Sequence, residues 1–442
     1  MAKQGFKVIE GSITAPQGFV ASGVFCDIKR LGTGKGSQKG QKRDLGLILS
    51  KVPAAVAGLY TTNQVCAAPV KVCAERTAKD RAQAIVANSG NANACTGLKG
   101  RRDAETMTKV AARQLGVPVI DTLVCSTGRI GVQMPMENVK RGILAASKLL
   151  SDSREAASHF AEAIMTSDSR AKEVAVELVL GGKKVRIGGV CKGAGMIQPG
   201  MSPTGARPAS ALHATMLGFV TTDAAIDGKV LKKSLEIAVA QSFNRITVDG
   251  DMSTNDTVLV LANGLAGNKK ITRTTRDDLR KFEEALNFVC LELAKKIVRD
   301  GEGVSRFVTV RLHGAKNSED AEAAARAVAN SSLVKTSWFG GDPNWGRILD
   351  ALGYSPAMII EDKIDVGYSR PGEKKITFAL KRGQPTSVPF KTLVKAVAEK
   401  EFDLHIFLNL GSGHAVIYTC DLTEEYVDFN KGDVSDPTSL GG

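Results

Sequence analysis

Two segments repeat apolar residues at intervals of three and four. Over 137–150, Val139, Ile143, Ala146 and Leu150 fall on one face. Over 276–299, Leu279, Phe282, Leu286, Val289, Leu293 and Ile297 do the same. Both patterns predict amphipathic helices whose stripes face a core. Thr275 and Asp278 have the spacing of a capping box at the start of the second. Shorter runs rich in β-branched and aromatic residues predict strands: AIVANS (84–89), RFVTVRL (306–312), KKITFAL (374–380), LHIFLNL (404–410) and AVIYTC (415–420). SALHATMLGFVTTDA (210–224) predicts a buried strand that opens on Thr215, just after a stretch crowded with Pro, Gly and Ser. Helical and strand patterns alternate irregularly with no internal repeat, so a layered α/β or α+β fold is expected. A boundary before a C-terminal domain is expected at Lys316–Asp320.

Composition narrows the class without naming a function. At 442 residues, 43% hydrophobic and 24% charged, the chain is long enough for two or three ordinary globular domains. No run of 18 apolar residues occurs, and MAKQGFKVIEGSITAPQGF resembles neither a secretory signal nor a transit peptide, so no membrane span and a cytoplasmic location are expected. The eight cysteines show no CxxC pair and no His at zinc-ligand spacing, which predicts reduced thiols and no metal site. Residues 1–214 carry 30 basic against 15 acidic side chains, and residues 215–442 carry 29 against 31. A basic half raises nucleic-acid binding as a possibility, but aromatics are only 5% of the chain and no RNA-binding or zinc-finger pattern joins the charges. A solvated basic surface that steers carboxylate substrates is the simpler account, with no nucleic-acid partner.

The patch LGTGKGSQKGQKRDLG (31–46) fails the phosphate-loop pattern, because Gly36 follows Lys35 where Ser or Thr is required. It reads as a basic surface loop. DGDMSTND (249–256) fails as a calcium loop, with Thr254 at the turn glycine and Val260 at the bidentate Glu. None of His159, His213, His313, His405 and His414 sits in a GxSxG or HExxH setting. Nucleophilic catalysis without histidine has an economical form: a threonine at a chain N-terminus uses its own α-amino group as base. That amine titrates near neutrality, at about 7.7–8.0. The Ala214-Thr215 bond suits such a cut, with an uncrowded alanine carbonyl and a turn-rich approach. Local sequence alone still favours a plain strand start.

Eight motifs in order reverse that balance. AAPVKV (67–72), NSGNANACTG (88–97), CSTGRIG (125–131), CKGAGMIQP (191–199), ATMLGFVTTDA (214–224), DGDMSTNDTV (249–258), IVRDGEGVSRF (297–307) and GDPNWGRIL (341–349) resemble the motif series of the ornithine acetyltransferase, or glutamate N-acetyltransferase, family. The resemblance runs from GSITAPQGF (11–19) to CDLTEEYVDFN (420–430). It implies an α/β fold, an αββα sandwich of the DmpA-like type with a smaller C-terminal α/β domain. It also implies self-cleavage into an α chain, 1–214, and a β chain, 215–442, assembled as an α2β2 heterotetramer. The implied reaction moves acetyl from N2-acetylornithine to glutamate in arginine biosynthesis, through an acetyl-threonine ester and without a metal or redox cofactor. Whether acetyl-CoA is a second donor stays open.

The same resemblance carries roles to matched positions. Ala214 and Thr215 flank the cut, and Thr215 is the nucleophile. Thr127 and Gly128 match the oxyanion-hole pair. Lys192 and Glu302 match substrate-binding residues, an ammonium for a carboxylate and an acid for an ammonium. Asn430 and Ser435 match the closing Asn and Ser/Thr, and Ser169 stands where the family usually has Thr. Asn255, Asp256, Asp342, Asn344 and Trp345 belong to matched motifs and are expected in turns and packing rather than chemistry. The chain departs from the family at GMSPTGARPASAL (200–212), which intervenes before the ATML strand, and at the tail DPTSLGG (436–442). The insert makes Thr204 a second candidate nucleophile, but only Thr215 is followed by the expected strand. Two other readings remain: an aminopeptidase or amidase of the related self-processing class, and an uncleaved basic binding protein.

Overall fold

A computed structural model of the chain describes residues 5–29, 42–203 and 216–431. They form two compact units. One takes in the residues up to Asn244, Asp251–Ile297 and Lys431; the other takes in Arg245–Gly250 and Val298–Asn430. The division at 297/298 precedes the boundary expected at Lys316–Asp320. The strand Phe307–Ala315, which that boundary would leave with the first unit, pairs inside the second.

The first unit opens with β1 (Phe6–Ile9), β2 (Phe19–Val24), β3 (Leu45–Thr61), α1 (Ala68–Thr77), β4 (Arg81–Asn88), α2 (Gly97–Leu115) and β5 (Thr122–Ser126). Next come α3 (Met136–Ser147), α4 (Arg154–Ile164), β6 (Lys172–Leu180), β7 (Lys183–Lys192), β8 (Met201–Ser202) and β9 (Leu217–Thr222). It closes with α5 (Gly228–Ala240), β10 (Thr257–Ala262) and α6 (Arg276–Arg299). The main strand order is β1-β6-β7-β9-β10-β3-β4-β5, with β2 and β8 also paired to β3. Pairs β9–β10 and β4–β5 are parallel; the others are antiparallel.

β3 works for two groups of strands. Its first residues, Leu45–Ser50, lie between β2 and β4, whereas Ala55–Tyr60 pair with β10. The register with β4 shifts between Leu49 and Ala54, where Pro53, having no N–H to donate, cannot sit in a continuous ladder. β9 and β10 are buried at every position, the pattern of strands covered on both faces. Val70, Met107, Val139, Ile143 and Phe160 from α1 to α4 join Leu47, Ile85, Leu123 and Phe219 in one core. Phe160 meets Phe219 edge to face at 5.4 Å. α6 comes close to β7 at Gly189, where a Cβ would lie 2.8 Å from Leu293.

The second unit contains β11 (Phe307–Ala315), α7 (Ser318–Asn330), α8 (Ser332–Phe339), α9 (Trp345–Gly353) and β12 (Asp365–Ser369). It continues through β13 (Thr377–Lys381), β14 (Gln384–Pro385), α10 (Phe390–Val397), β15 (Glu401–Phe407), β16 (Gly413–Cys420) and α11 (Glu424–Phe429). Its sheet runs β14-β13-β12-β15-β11-β16, and its own core gathers Val310, Val328, Trp338, Leu352 and Leu404. The mixed α/β class thus holds in both units.

The predicted helices form as α3 and α6, and the Phe282-to-Ile297 stripe is buried throughout. The capping box does not form. Thr275 Oγ1 donates to the Thr272 carbonyl, and Asp278 accepts instead from Gly181 N–H at 3.3 Å. Among the described residues β9 begins at Leu217; positions 214 and 215 lie outside them. Most of the loop expected at 31–46 also lies outside them. Its end does not behave as a loop: Leu45 starts β3, and the buried Asp44 carboxylate accepts the N–H groups of Cys26, Ile28 and Lys29. Among the described residues no helix is long and apolar enough to cross a membrane.

Candidate active site

Ends of several strands of the first unit are linked by side-chain contacts. β5 ends at Ser126, so Thr127 leaves it directly, its N–H bonded to the Asn88 carbonyl at the end of β4 at 3.0 Å. Lys192 ends β7 opposite Leu217, the first residue of β9. Its ammonium reaches across to donate to Thr127 Oγ1 at 3.4 Å, and both residues are buried. Gly128 follows with φ 126°, and a Cβ there would stand 2.6 Å from Asn91 N, so only glycine fits this turn. Asn91 forms isolated bridges to Thr127 and Arg129, and its Nδ2 bonds the carbonyls of Val132 and Gln133. The turn that presents Thr127 is therefore braced from both sides.

A buried carboxylate organises the cations. Asp168 Oδ1 accepts from Lys172 Nζ at 2.5 Å and from Gly193 N–H at 2.7 Å, and Oδ2 accepts from Thr166 N–H at 2.9 Å. Burial acts to raise this carboxyl, but the charges of Lys172 and Lys192 and the Gly193 N–H outweigh it and hold Asp168 well below the usual carboxylate range. Asp168 thus lies within the field of two ammonium groups, those of Lys172 and Lys192.

The stretch before β10 supplies the third wall. Asn255 Nδ2 donates to the Ala92 carbonyl at 2.6 Å and to the Ser126 carbonyl at 2.7 Å, tying this stretch to the Thr127 turn. The adjacent Asp256 is completely buried, and its Oδ1 accepts the N–H of Met216. The Met216 carbonyl accepts in turn from Thr257 N–H at 3.1 Å. Burial pushes Asp256 well above the usual carboxylate range, with the Met216 N–H and the Lys192 charge pulling partly back.

The structure thus brings Thr127, Gly128 and Lys192 together. Ser169 lies one residue from Asp168 and is exposed. In the second unit Asn430 Nδ2 donates to Glu302 Oε2 at 3.0 Å, so these two predicted residues also meet. Ala214, Thr215, Ser435 and the alternative Thr204 lie outside the described residues. Asn344 caps α9 by accepting from Arg347 N–H and donates to Asp342, the turn role expected of that motif. All eight cysteines are free and most are buried. Asp168 was not singled out from the sequence at all. Asp256 and Asn255 were recognised only as motif members, because a buried Asx side chain and a turn Asx side chain look alike in a sequence.

Comparison with known proteins places these residues in context. The model of the ArgJ family matches residues 28–432. An arginine biosynthesis bifunctional protein ArgJ from Symbiobacterium thermophilum is 47% identical over 422 residues, 96% of this chain and 98% of that protein. The protein of the same name from Caldanaerobacter subterraneus subsp. tengcongensis is 44% identical over 426 residues, again 96% of this chain and 98% of that one. Among solved structures, ornithine acetyltransferase from Mycobacterium tuberculosis, crystallised with ornithine, is 33% identical. It aligns over 45% of this chain and 100% of that chain, with a TM-score of 0.40.

Proposed function

Because the chain belongs to the ArgJ family, we propose that it is a self-cleaving N-terminal-threonine acetyltransferase that moves acetyl from N2-acetylornithine to glutamate in arginine biosynthesis. The observation that carries this reading is the Lys192–Thr127 contact beside the head of β9, the strand that follows the Ala214-Thr215 bond.

In the reaction, Thr215 Oγ attacks the acetyl carbonyl while the Thr215 α-amino group takes the hydroxyl proton. The carbonyl oxygen becomes an oxyanion, held by the Thr127 hydroxyl and the Gly128 N–H. The C–N bond to ornithine then breaks, and the proton on the α-ammonium passes to the leaving amine. Glutamate's neutral amine attacks the resulting acetyl-threonine ester by the reverse sequence, restoring the threonine. Lys192 receives a substrate carboxylate, a role that the placing of its ammonium beside Thr127 Oγ1 supports. The substrate-binding roles of Glu302, Asn430, Ser435 and Ser169 are those that the matched motifs imply. No resident metal or redox group is needed, since the ester carries the acetyl. Acetyl-CoA would enter by the same ester if it serves as second donor. The enzyme works in the cytoplasm as an α2β2 assembly.

Denaturing mass analysis with N-terminal sequencing tests the reading. A fragment beginning Thr-Met-Leu-Gly is expected in the wild type and absent in Thr215→Ala. Release of ornithine should require glutamate. Release of acetate without glutamate would make the protein a hydrolase, and an intact chain that still transfers acetyl would overturn the mechanism. An intact chain that is inactive but binds RNA in a salt-sensitive way would make it a binding protein.

A further inference from the structure

Lys192 is the last residue of β7, and the sheet holds its backbone on one flank only. The ladder to β6 ends one residue earlier, at Lys172–Cys191, whereas the ladder to β9 runs on to Lys192–Leu217. Gly193 then turns away with φ 148°, a conformation that favours glycine. A strand end tied on a single flank would let the Lys192 Cα drift, and the long stem would carry that drift to the ammonium. Asp168 takes over on the flank of β6. Its Oδ1 accepts the Gly193 N–H at 2.7 Å, and the same oxygen accepts from Lys172 Nζ at 2.5 Å. Its Oδ2 accepts the Thr166 N–H at 2.9 Å, which fixes the carboxylate against its own turn. The Gly193 N–H shares a rigid plane with the Lys192 carbonyl, so this bond sets the direction in which β7 delivers Lys192.

The Asp168 and Lys172 side chains are both completely buried. A buried ion pair is a weak source of stability, because a well-packed apolar pair of the same volume often serves as well. An apolar pair could not accept a backbone N–H at the exit of β7. We propose that Asp168 is the positioning residue for Lys192: with Lys172 as its counter-ion, it clamps the Lys192–Gly193 peptide so that the Lys192 ammonium meets Thr127 Oγ1. Lys172 supplies the charge that lets the carboxylate stay buried. Asp168 exchanges no proton and touches no substrate in this role. The placing of the ammonium is a matter of the chain's own geometry. Its effect on turnover rests on the acetyltransferase reading, in which Lys192 receives a substrate carboxylate.

Two full-chain double variants, matched in net charge, test this. Asp168→Asn/Lys172→Met keeps an oxygen for the Gly193 N–H, and Asp168→Leu/Lys172→Met removes it. Crystal structures should show Lys192 Nζ within hydrogen-bond distance of Thr127 Oγ1 in the asparagine variant and beyond it in the leucine variant. The leucine variant should raise KM for acetylornithine and for glutamate by about tenfold, with kcat within about threefold of wild type. The asparagine variant should keep both KM values within about threefold. In a Lys192→Met background the leucine variant should raise KM no further, because it acts through that ammonium. A leucine variant that keeps the Lys192–Thr127 contact would overturn the proposal. So would a KM rise that persists undiminished in the Lys192→Met background, or an asparagine variant that melts like wild type yet is as impaired as the leucine one. If the leucine variant does not fold, the asparagine variant decides alone: a kept contact with near-normal KM supports the role, and a lost contact overturns it. Should Lys192→Met itself leave both KM values unchanged, the substrate role of Lys192 in the acetyltransferase reading fails, and the crystallographic comparison still decides the role of Asp168.

Discussion

Lys192 Nζ lies 3.4 Å from Thr127 Oγ1, and each residue is only 2% exposed. A buried ammonium donating to a hydroxyl leaves that hydroxyl's own proton free to point elsewhere, toward an oxyanion. Removing one such donor typically costs about 10²–10³ in rate. Thr127→Ala should therefore lower kcat by about that factor with KM little changed, and Thr127→Ser should restore most of it. Steady-state kinetics of ornithine release check both.

Lys192→Met keeps the length and apolar stem of the side chain and removes the charge. It should raise KM for both carboxylate substrates by about tenfold or more, a loss of roughly 1.4 kcal/mol or more in binding. The same variant removes one of the charges that depress Asp168. Parallel KM measurements for acetylornithine and glutamate distinguish this outcome from a loss confined to kcat.

Gly128→Ala should be more damaging than the size of a methyl group suggests. Its φ of 126° is closed to alanine, and the new Cβ would stand 2.6 Å from Asn91 N. Since neither backbone segment can yield without moving Thr127, activity should be lost. The expected stability cost is about 2–4 kcal/mol by denaturant titration.

Asn255→Ala removes two hydrogen bonds from one Nδ2 and leaves the carbonyls of Ala92 and Ser126 buried without their partner. A destabilisation of about 2–4 kcal/mol is expected. Asn255→Asp should be worse, because a carboxylate would face two carbonyl oxygens. Equilibrium unfolding of the two variants ranks them.

The second unit should be sensitive to acid. His405 accepts from or donates to Ser369 Oγ at 3.0 Å and stacks on His313 with ring centroids 5.8 Å apart. Burial lowers its pKa from 6.5 to about 4, with the neighbouring His313 and Arg311 charges adding to the effect and Asp403 opposing it. The unfolded chain therefore binds this proton first as pH falls. The stability is fully present above about 6.5 and is lost as pH falls toward 4, by about 3 kcal/mol. His405→Gln should flatten that part of the stability–pH curve, followed by thermal melts between pH 7 and 4.

What could be read from the sequence depended on how each residue does its work. Helix α6 was legible to its ends, because a six-residue apolar stripe has one geometric meaning. Its cap was not: Thr275 and Asp278 had suitable partners elsewhere, in Thr272 and Gly181, that spacing does not reveal. Thr127, Gly128 and Lys192 were found through ordered motifs, and they do meet. Their supports were missed. Asp168, Asn255 and Asp256 act through contacts with residues 25 to 163 positions away, and in the sequence each resembles an ordinary turn residue. The long strand β3 was also missed, because Lys51-Val52-Pro53 interrupts its apolar pattern at the place where its register shifts.

The strand order has a consequence for a protein cut between 214 and 215. β9 and β10 come after that bond, yet they lie between β7 and β3, which come before it. The later fragment is thus threaded into the middle of the earlier one's sheet, with a hydrogen-bonded ladder on each flank. Scission would release a chain end without releasing a chain. For the halves to separate, two seams would have to open at once in the interior of the sheet, so a cut there would leave the architecture holding the halves together.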